Sequence, residues 1–195
     1  MRKNIDIENK VGIGEIENGF PNRSLRWLAS GLRELITAFL PAILIALFVH
    51  VYVAEAVSIE DGPSMQPNLY VGYRVMTEKV SYRFHPPERG DIVVVVLPGD
   101  EPALIKRVLA TGGEIVEVRD GHTFVDGQVI DEPWVTNFGG MSYAAQEVPE
   151  GCVFILGDNR PISYDSRAIG PVAVEEILGR AWLVYWPLEQ ARLLP

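Results

Sequence analysis

Residues 35–54 read LITAFLPAILIALFVHVYVA, an apolar run with one histidine and no formally charged side chain. A helix of this length rises about 30 Å, which matches the hydrocarbon core of a bilayer. A buried helix of a soluble protein would show a polar face, and a cleaved signal peptide would have a shorter apolar region. Although AEA at 54–56 suits signal-peptide cleavage, the length of the run predicts an uncleaved transmembrane helix.

The two ends of this run differ in charge. Arginines precede it and acidic residues follow it: Arg23, Arg26 and Arg33 before, and Glu55, Glu60 and Asp61 after. Because positive flanks stay on the cytoplasmic side, we expect a single pass through the cell membrane with the amino terminus in the cytoplasm. Residues 1–34 are then a cytoplasmic tail, residues 35–54 the membrane span, and residues 55–195 an extracytoplasmic domain.

The composition excludes several classes of partner and site. A net charge of −9 argues against a nucleic-acid partner, because nucleic-acid phosphates are bound mainly by lysine and arginine. Cys152 is the single cysteine, so neither an intrachain disulfide nor a cysteine-based zinc cluster can form. We expect no metal ion and no cofactor.

Beyond the apolar run, the sequence is typical of β-structure. Short apolar segments bounded by glycine or proline predict strands: GDIVVVVLP (90–98), ALIKRVLAT (103–111), GCVFILGD (151–158) and GRAWLVYWP (179–187). Residues 114–130 contain two Asp-Gly pairs, each a favoured hairpin turn, and residues 172–179 suggest a short helix. The pattern predicts a mainly β fold, an antiparallel sandwich or barrel-like domain preceded by one transmembrane helix.

A serine and a lysine stand out in this β region. In GPSMQPNL (62–69), Ser64 lies on a turn that two prolines stiffen, and Lys106 lies on an otherwise apolar strand. A lone lysine is usually solvated, but in an apolar site a lysine loses hydration, and a neutral amine can take a proton from a serine hydroxyl. None of the three histidines lies in a catalytic context, so a Ser–Lys pair is favoured over a Ser-His-Asp triad.

Three stretches together resemble the boxes of the type I signal peptidases, the membrane-anchored Ser–Lys proteases that remove signal peptides from exported proteins. The first, SMQPNL (64–69), is similar to the family's Ser-Met-x-Pro-Thr-Leu, and the second begins with Lys106-Arg107. The third, GDNRPISYDSR (157–167), matches Gly-Asp-Asn-Arg-x-x-Ser-x-Asp-Ser-Arg at every specified position. RGDIVVV (89–95) also resembles the strand that the family places between the first two boxes.

The resemblance implies a role for each matched residue. Ser64 would be the nucleophile, Lys106 the general base, and Ser163 the hydroxyl that orients the lysine amine. The charged residues of the last box would form a network that supports the site: Asp158, Arg160, Asp165 and Arg167. Taken alone, these charges would read as an ordinary surface turn with weak ion pairs, and the full match to the box favours the functional interpretation.

The chain departs from the family pattern at several positions. Gly62 stands where a serine often helps to stabilise the oxyanion, so we expect backbone N–H groups of Ser64 and Gly62 to do so. Asn68 replaces the usual threonine. Residues 110–114 read ATGGE in place of Gly-x-Pro-Gly-Asp, and Glu60 and Asp61 stand where apolar residues are frequent.

The resemblance also implies the substrate, the signal peptides of exported preproteins. A peptide would bind as an added strand against residues 59–62 and 103–106. Shallow pockets near Met65, Leu104 and Ile105 would accept small side chains, as in the family's Ala-x-Ala preference. The expected partners are these signal peptides, the lipid bilayer and the protein-export translocon.

Two other functions fit parts of the sequence. A self-cleaving repressor shares the fold and the Ser–Lys chemistry, but it would carry DNA-binding helices in place of a membrane span. A membrane-anchored β domain that has lost activity and scaffolds envelope proteins is the second alternative. The carboxyl-terminal aromatics, Trp182, Tyr185 and Trp186, favour a core strand over contact with the bilayer.

Overall fold

The computed structural model describes residues 23–60, 62–99 and 103–195. The chain divides into two compact units, one that ends at Leu44 and one that comprises Ile45–Pro195. One long helix, α1, runs over Arg23–Tyr52, and its segment Gly31–Tyr52 has a mean hydropathy of 2.3 and is long enough to cross a membrane.

Helix α1 differs from the predicted span at both ends. It begins well before residue 35, because Leu, Arg, Ala and Glu, which dominate residues 25–35, are good helix formers and continue the helix through the charged flank. It ends at Tyr52, and Ala54 already opens the first strand. Residues 1–22 of the predicted tail lie outside the described residues.

The described residues form twelve strands and a second short helix. The strands are β1 (Ala54–Ser58), β2 (Arg74–Glu78), β3 (Ile92–Val95), β4 (Leu104–Thr111), β5 (Ile115–Arg119), β6 (His122–Val125), β7 (Gln128–Val129), β8 (Tyr143–Glu147), β9 (Cys152–Leu156), β10 (Val172–Ala173), β11 (Ile177–Trp186) and β12 (Arg192–Leu193). Helix α2 comprises Ser166–Ile169. The prediction of a mainly β, antiparallel fold with one amino-terminal apolar helix is confirmed.

The strands form two antiparallel sheets. The larger sheet has the order β1-β2-β11-β3-β4-β9-β10, with β12 paired to β11, and the smaller has the order β7-β6-β5-β8. Strand β4 is central in the larger sheet: residues 104–107 pair with β3, and residues 107–111 pair with β9. Residues 104–106 therefore pair with β3 along one edge, and their other edge has no neighbouring strand among the described residues.

The core follows the alternation of side chains along the strands. In β3, Ile92 and Val94 pack in one apolar cluster with Ile105, whereas Val93 and Val95 pack in another on the opposite face. Both faces of β3 and β4 are therefore buried, which explains why their sequences read as continuous apolar runs.

The short-range predictions in the smaller sheet are confirmed. Asp120 and Gly121 have φ values of 52° and 81°, and Asp126 and Gly127 have values of 51° and 77°, so both Asp-Gly turns have positive φ at both residues.

The helix predicted within residues 172–179 is a 3₁₀ turn over Val174–Glu176, because its flanking residues are used by strands β10 and β11.

Candidate active site

Ser64 lies in a compact loop of backbone hydrogen bonds between β1 and β2, which we call the serine loop (residues 62–69). The N–H of Gln66 donates to the carbonyl of Pro63 at 3.1 Å, and the N–H of Leu69 donates to the carbonyl of Met65 at 2.9 Å. Gly62 enters the loop with a φ of 63°, a conformation that favours glycine. Only 7% of Ser64 is exposed, so the loop presents the hydroxyl in a confined site.

Lys106 extends from β4 to this serine. Its Nζ donates to Ser64 Oγ at 3.0 Å and to the carbonyl of Ile105 at 3.1 Å. Lys106 is fully buried, and side-chain alternation puts it on the face of β4 that Leu104 and Val108 share. The structure thus brings the predicted nucleophile and base within hydrogen-bonding distance in a largely buried site.

The segment 157–167, which we call the acidic–basic turn, contacts the serine loop directly. The N–H of Asn159 donates to the carbonyl of Ser64 at 2.9 Å, and its side-chain amide donates to the carbonyl of Pro63 at 3.3 Å. Gly157 lies so close that an added Cβ would be 2.6 Å from the Ser64 carbonyl oxygen. The turn therefore fixes the backbone on either side of the serine.

Three buried arginine–carboxylate pairs hold the acidic–basic turn. Arg107 of β4 donates to both oxygens of Asp158 at 2.9 Å, and Arg167 donates to both oxygens of Asp165 at 2.9 Å. Arg160 pairs with Glu132, and both side chains are buried. The predicted network of Asp158, Arg160, Asp165 and Arg167 is present as a set of buried contacts, in contrast to an ordinary exposed turn.

Asp165 also anchors the backbone of the turn. It caps helix α2 by accepting from the N–H of Arg167, and it accepts from the N–H of Gly157 at 3.1 Å. One carboxylate therefore connects the start of the turn to its end.

Sequence reasoning missed two of the residues that complete this network. Glu132, the partner of Arg160, lies in DEPW (131–134), in the connection between β7 and β8, and no motif marked it. Asn68 donates to Asp158, and its departure from the usual threonine was the only sequence signal that pointed to it.

Ser163 does not make the contact expected of it. Its Oγ is buried and has no hydrogen-bond partner, so it does not hold the amine of Lys106 in this structure. The hydroxyl instead lies over Gly157, where an added Cβ would approach it to 2.2 Å.

The two backbone groups predicted to stabilise an oxyanion differ in their contacts. The N–H of Gly62 already donates to the carbonyl of Glu60 at 2.9 Å, so it is engaged in a local turn. The N–H of Ser64 makes no hydrogen bond with the described residues. Of the two predicted donors, Gly62 is thus engaged by a described residue and Ser64 is not.

The predicted substrate-contacting side chains are buried in the core. Met65 and Ile105 are 2% and 3% exposed in one apolar cluster, and Leu104 is 7% exposed in another. Their side chains are thus packed within the apolar clusters of the larger sheet. Among the described residues, no group of three or more His, Cys, Asp or Glu side chains is arranged to hold a metal ion.

Comparison with known proteins identifies the family. The family model described as signal peptidase, peptidase S26, matches residues 32–186. A probable signal peptidase I-2 of Synechocystis sp. is 38% identical over 168 residues, which cover 83% of this chain and 76% of that protein. Thylakoidal processing peptidase 1, chloroplastic, of Arabidopsis thaliana is 40% identical over 173 residues, which cover 82% of this chain and 50% of that protein.

One solved structure is also similar to part of the chain. The crystal structure of a signal peptidase I from Enterococcus faecalis V583 is 30% identical and has a TM-score of 0.41, and the match covers 48% of this chain and 95% of that chain. The family model and the relatives each cover most of this chain. The chain therefore belongs to the signal peptidase family, the serine endopeptidases that remove signal peptides from preproteins.

Proposed function

We propose that this protein cleaves signal peptides with a Ser64–Lys106 dyad through an acyl-enzyme intermediate. The observation that carries the proposal is the 3.0 Å contact between Lys106 Nζ and Ser64 Oγ in a buried site. A neutral Lys106 amine takes the hydroxyl proton as Ser64 Oγ attacks the scissile carbonyl carbon. The resulting ammonium then gives that proton to the leaving amine, and the peptide bond breaks.

The second half of the reaction reuses the same groups. With the leaving amine gone, the neutral amine of Lys106 accepts a proton from water, whose oxygen attacks the ester carbon. Collapse of that intermediate breaks the ester bond, returns the proton from Lys106 to Ser64 Oγ, and releases the signal peptide as a carboxylic acid that loses its proton to the solvent. In both steps, the backbone N–H of Ser64, which makes no hydrogen bond with the described residues, is the proposed donor that stabilises negative charge on the carbonyl oxygen.

The free edge of β4 supports binding of the substrate as an added strand. Strand β9 pairs with β4 only from Arg107 onward, so residues 104–106 offer backbone groups to an extended peptide. This edge ends at Lys106, which contacts the serine. The preference for Ala-x-Ala sequences is proposed from the resemblance to the family, and Met65, Leu104 and Ile105 are the residues proposed to lie near the small side chains of the substrate.

Residues Gly31–Tyr52 support membrane anchoring of the enzyme. The positive flank before the helix and the acidic residues after it support a cytoplasmic amino terminus and a catalytic domain, residues 55–195, on the opposite side of the membrane. We place the protein in the cell membrane, beside the export translocon that delivers preproteins. A thylakoid membrane is the alternative, because one of the relatives is a thylakoidal peptidase.

The test is cleavage of a preprotein with an Ala-x-Ala site by the full chain in detergent. Ser64→Ala and Lys106→Ala should each lower kcat by about 10³-fold or more, because each removes a reacting group. Matched controls are Ser58→Ala, at an exposed serine, and Lys79→Ala, at a lysine that pairs with Glu55. Retention of activity by Lys106→Ala would assign the base elsewhere, and a wild type that binds preproteins without cutting them would favour a scaffold.

A further inference from the structure

Asn68 connects the serine loop to two other segments of the chain. Its side-chain amide donates two hydrogen bonds of 2.8 Å, one to Asp158 Oδ2 and one to the carbonyl of Trp134. Its backbone carbonyl accepts a hydrogen bond from Arg192 of β12. The side-chain NH₂ group and the backbone carbonyl of Asn68 are therefore both engaged in contacts far away in sequence.

The carboxylate that Asn68 contacts is shared with Arg107. The guanidinium of Arg107 donates to both oxygens of Asp158, and its plane lies over the ring of Trp134 with Cζ 4.5 Å from the ring centroid. The amide, the carboxylate, the guanidinium and the indole thus form one closed cluster. It joins the serine loop, strand β4 and the acidic–basic turn.

This cluster is a second attachment of the serine loop to β4. The first is the contact between Ser64 and Lys106, and the second runs from Asn68 through Asp158 to Arg107. Lys106 and Arg107 are consecutive on the strand, so their side chains leave opposite faces. A loop attached on both faces of one strand can neither slide along it nor rotate about a single contact.

We propose that Asn68 is a positioning residue that sets the distance between Ser64 and Lys106 by locking the serine loop to the Asp158–Arg107 pair. The inference rests on the proposed function of that pair. Catalysis by a dyad depends steeply on this distance, since a displacement of about 1 Å can lower a rate about 10²-fold.

The chemistry of the amide explains why asparagine suits the position. The NH₂ group has two protons, and both are used, on Asp158 and on Trp134. A threonine hydroxyl, which the family motif usually has here, has one proton and could donate to only one of these acceptors. An ionised aspartate has none, and it would face the carboxylate of Asp158.

The experiment compares Asn68→Thr and Asn68→Asp with the wild type in the full chain, by kcat, KM and thermal unfolding between pH 5 and 9. We expect Asn68→Thr to lower kcat about 10-fold with KM changed less than about twofold, because the substrate edge of β4 is untouched. At pH 8, Asn68→Asp should lower kcat about 10²-fold. Gln128→Glu, at an exposed amide on β7, is the control for the added charge.

The pH dependence separates positioning from loss of structure. The charged groups that face position 68 are Asp158, Arg107 and Arg192. When the introduced carboxyl is protonated at low pH, it can donate to Asp158, so the ratio of variant to wild-type kcat should rise as the pH falls. For Asn68→Thr and Gln128→Glu, that ratio should be constant.

Two results would overturn the inference. One is an Asn68→Thr enzyme with wild-type kcat, and the other is an Asn68→Asp ratio that does not vary with pH. If Asn68→Asp fails to fold, the split between kcat and KM in Asn68→Thr decides. Ser64→Ala and Lys106→Ala are measured in the same assay. If these two variants stay active, both the proposed dyad and the positioning role are wrong. If they are inactive and Asn68→Thr has wild-type kcat, only the positioning role is wrong.

Discussion

The serine–lysine pair and the arginine–carboxylate pairs behind it are built in different ways. Ser64 and Lys106 meet through one hydrogen bond of 3.0 Å. Asp158 and Asp165 are each held by two parallel hydrogen bonds from an arginine, and Asp165 receives backbone N–H groups as well. The groups proposed to react are joined lightly, and the groups that position them are fixed at several points.

Because of this difference, we expect the pair to determine the activation free energy of the reaction and the turn to determine the free energy of unfolding. A proton must leave Ser64 and return to it, so a contact of several strong bonds at that atom would oppose the reaction. The acidic–basic turn undergoes no chemical change, and its bidentate pairs favour one geometry. We therefore expect substitutions in the pair to affect rate, and substitutions in the turn to affect stability first.

Arg160→Met tests this contrast with the largest expected effect on stability. It leaves the carboxylate of Glu132 buried without its partner, and breaking a buried ion pair in this way costs about 3–5 kcal/mol. The free energy of unfolding of the full chain in detergent is the measurement. Arg119→Met, at an exposed arginine of the smaller sheet, is the matched control and should cost less than about 1 kcal/mol.

Ser64→Ala tests the serine–lysine pair by the same measurement, the free energy of unfolding. It should leave the free energy of unfolding within about 1 kcal/mol of the wild type, since it removes one hydrogen bond. An Arg160→Met protein as stable as Arg119→Met would show that the buried pairs do not carry the stability of the turn.

Gly157→Ala should have an intermediate effect on the free energy of unfolding and should also lower kcat, because the added methyl group disturbs both the serine loop and the acidic–basic turn. The added methyl group would lie 2.2 Å from Ser163 Oγ and 2.6 Å from the Ser64 carbonyl oxygen, so the serine loop must shift. We expect a loss of about 1–3 kcal/mol in stability and about 10²-fold in kcat.

Gly179→Ala is the matched control for that steric clash. There the added methyl meets the carbonyl oxygen of Glu78 at 2.1 Å, on β11 and β2, without touching the serine loop. It should lower stability with kcat of the folded enzyme unchanged. Equal loss of kcat in both glycine variants would mean that the serine loop is not sensitive to the contact with Gly157.

The sequence predicts those parts of the molecule that depend on neighbours along the chain. The Asp-Gly turns at 120–121 and 126–127 form as expected because a hairpin turn is decided by two residues. Strand β8 was not predicted, since YAAQE has small and polar residues and lies mostly exposed at the edge of its sheet. The start of α1 was also missed, because hydropathy marks the membrane core and not the end of a helix.

The candidate site shows the same limit. Ser64 and Lys106 stand out by their local context, but their roles and that of the acidic–basic turn were assigned from the resemblance to a family, which carries tertiary information that this one sequence does not. The pairing of Arg160 with Glu132 joins residues 28 positions apart, and no local pattern predicts it. The orientation of Ser163 depends on its packing against Gly157, so its expected hydrogen bond to the lysine could not be judged from the motif.

Glu78, at the end of β2, gives the smallest expected effect and sharpens the contrast with the buried carboxylates. Partial burial raises the pKa of Glu78, but hydrogen bonds from Ser81 and Val80 outweigh it, and with the charge of Arg180 they hold the pKa below the ordinary carboxyl value. Because the pKa is lowered on folding, the carboxylate stabilises the protein above the ordinary pKa of about 4.3, and this stabilisation is lost as the pH falls through the folded value.

Glu78→Gln should therefore be less stable than the wild type at pH 7 by less than about 1 kcal/mol, since the group is partly exposed and screened. The difference in free energy of unfolding should vanish toward pH 3, with Glu147→Gln, at an exposed site on β8, as the control for loss of one carboxylate. A difference that grows on acidification would mean that these hydrogen bonds do not favour the ionised form.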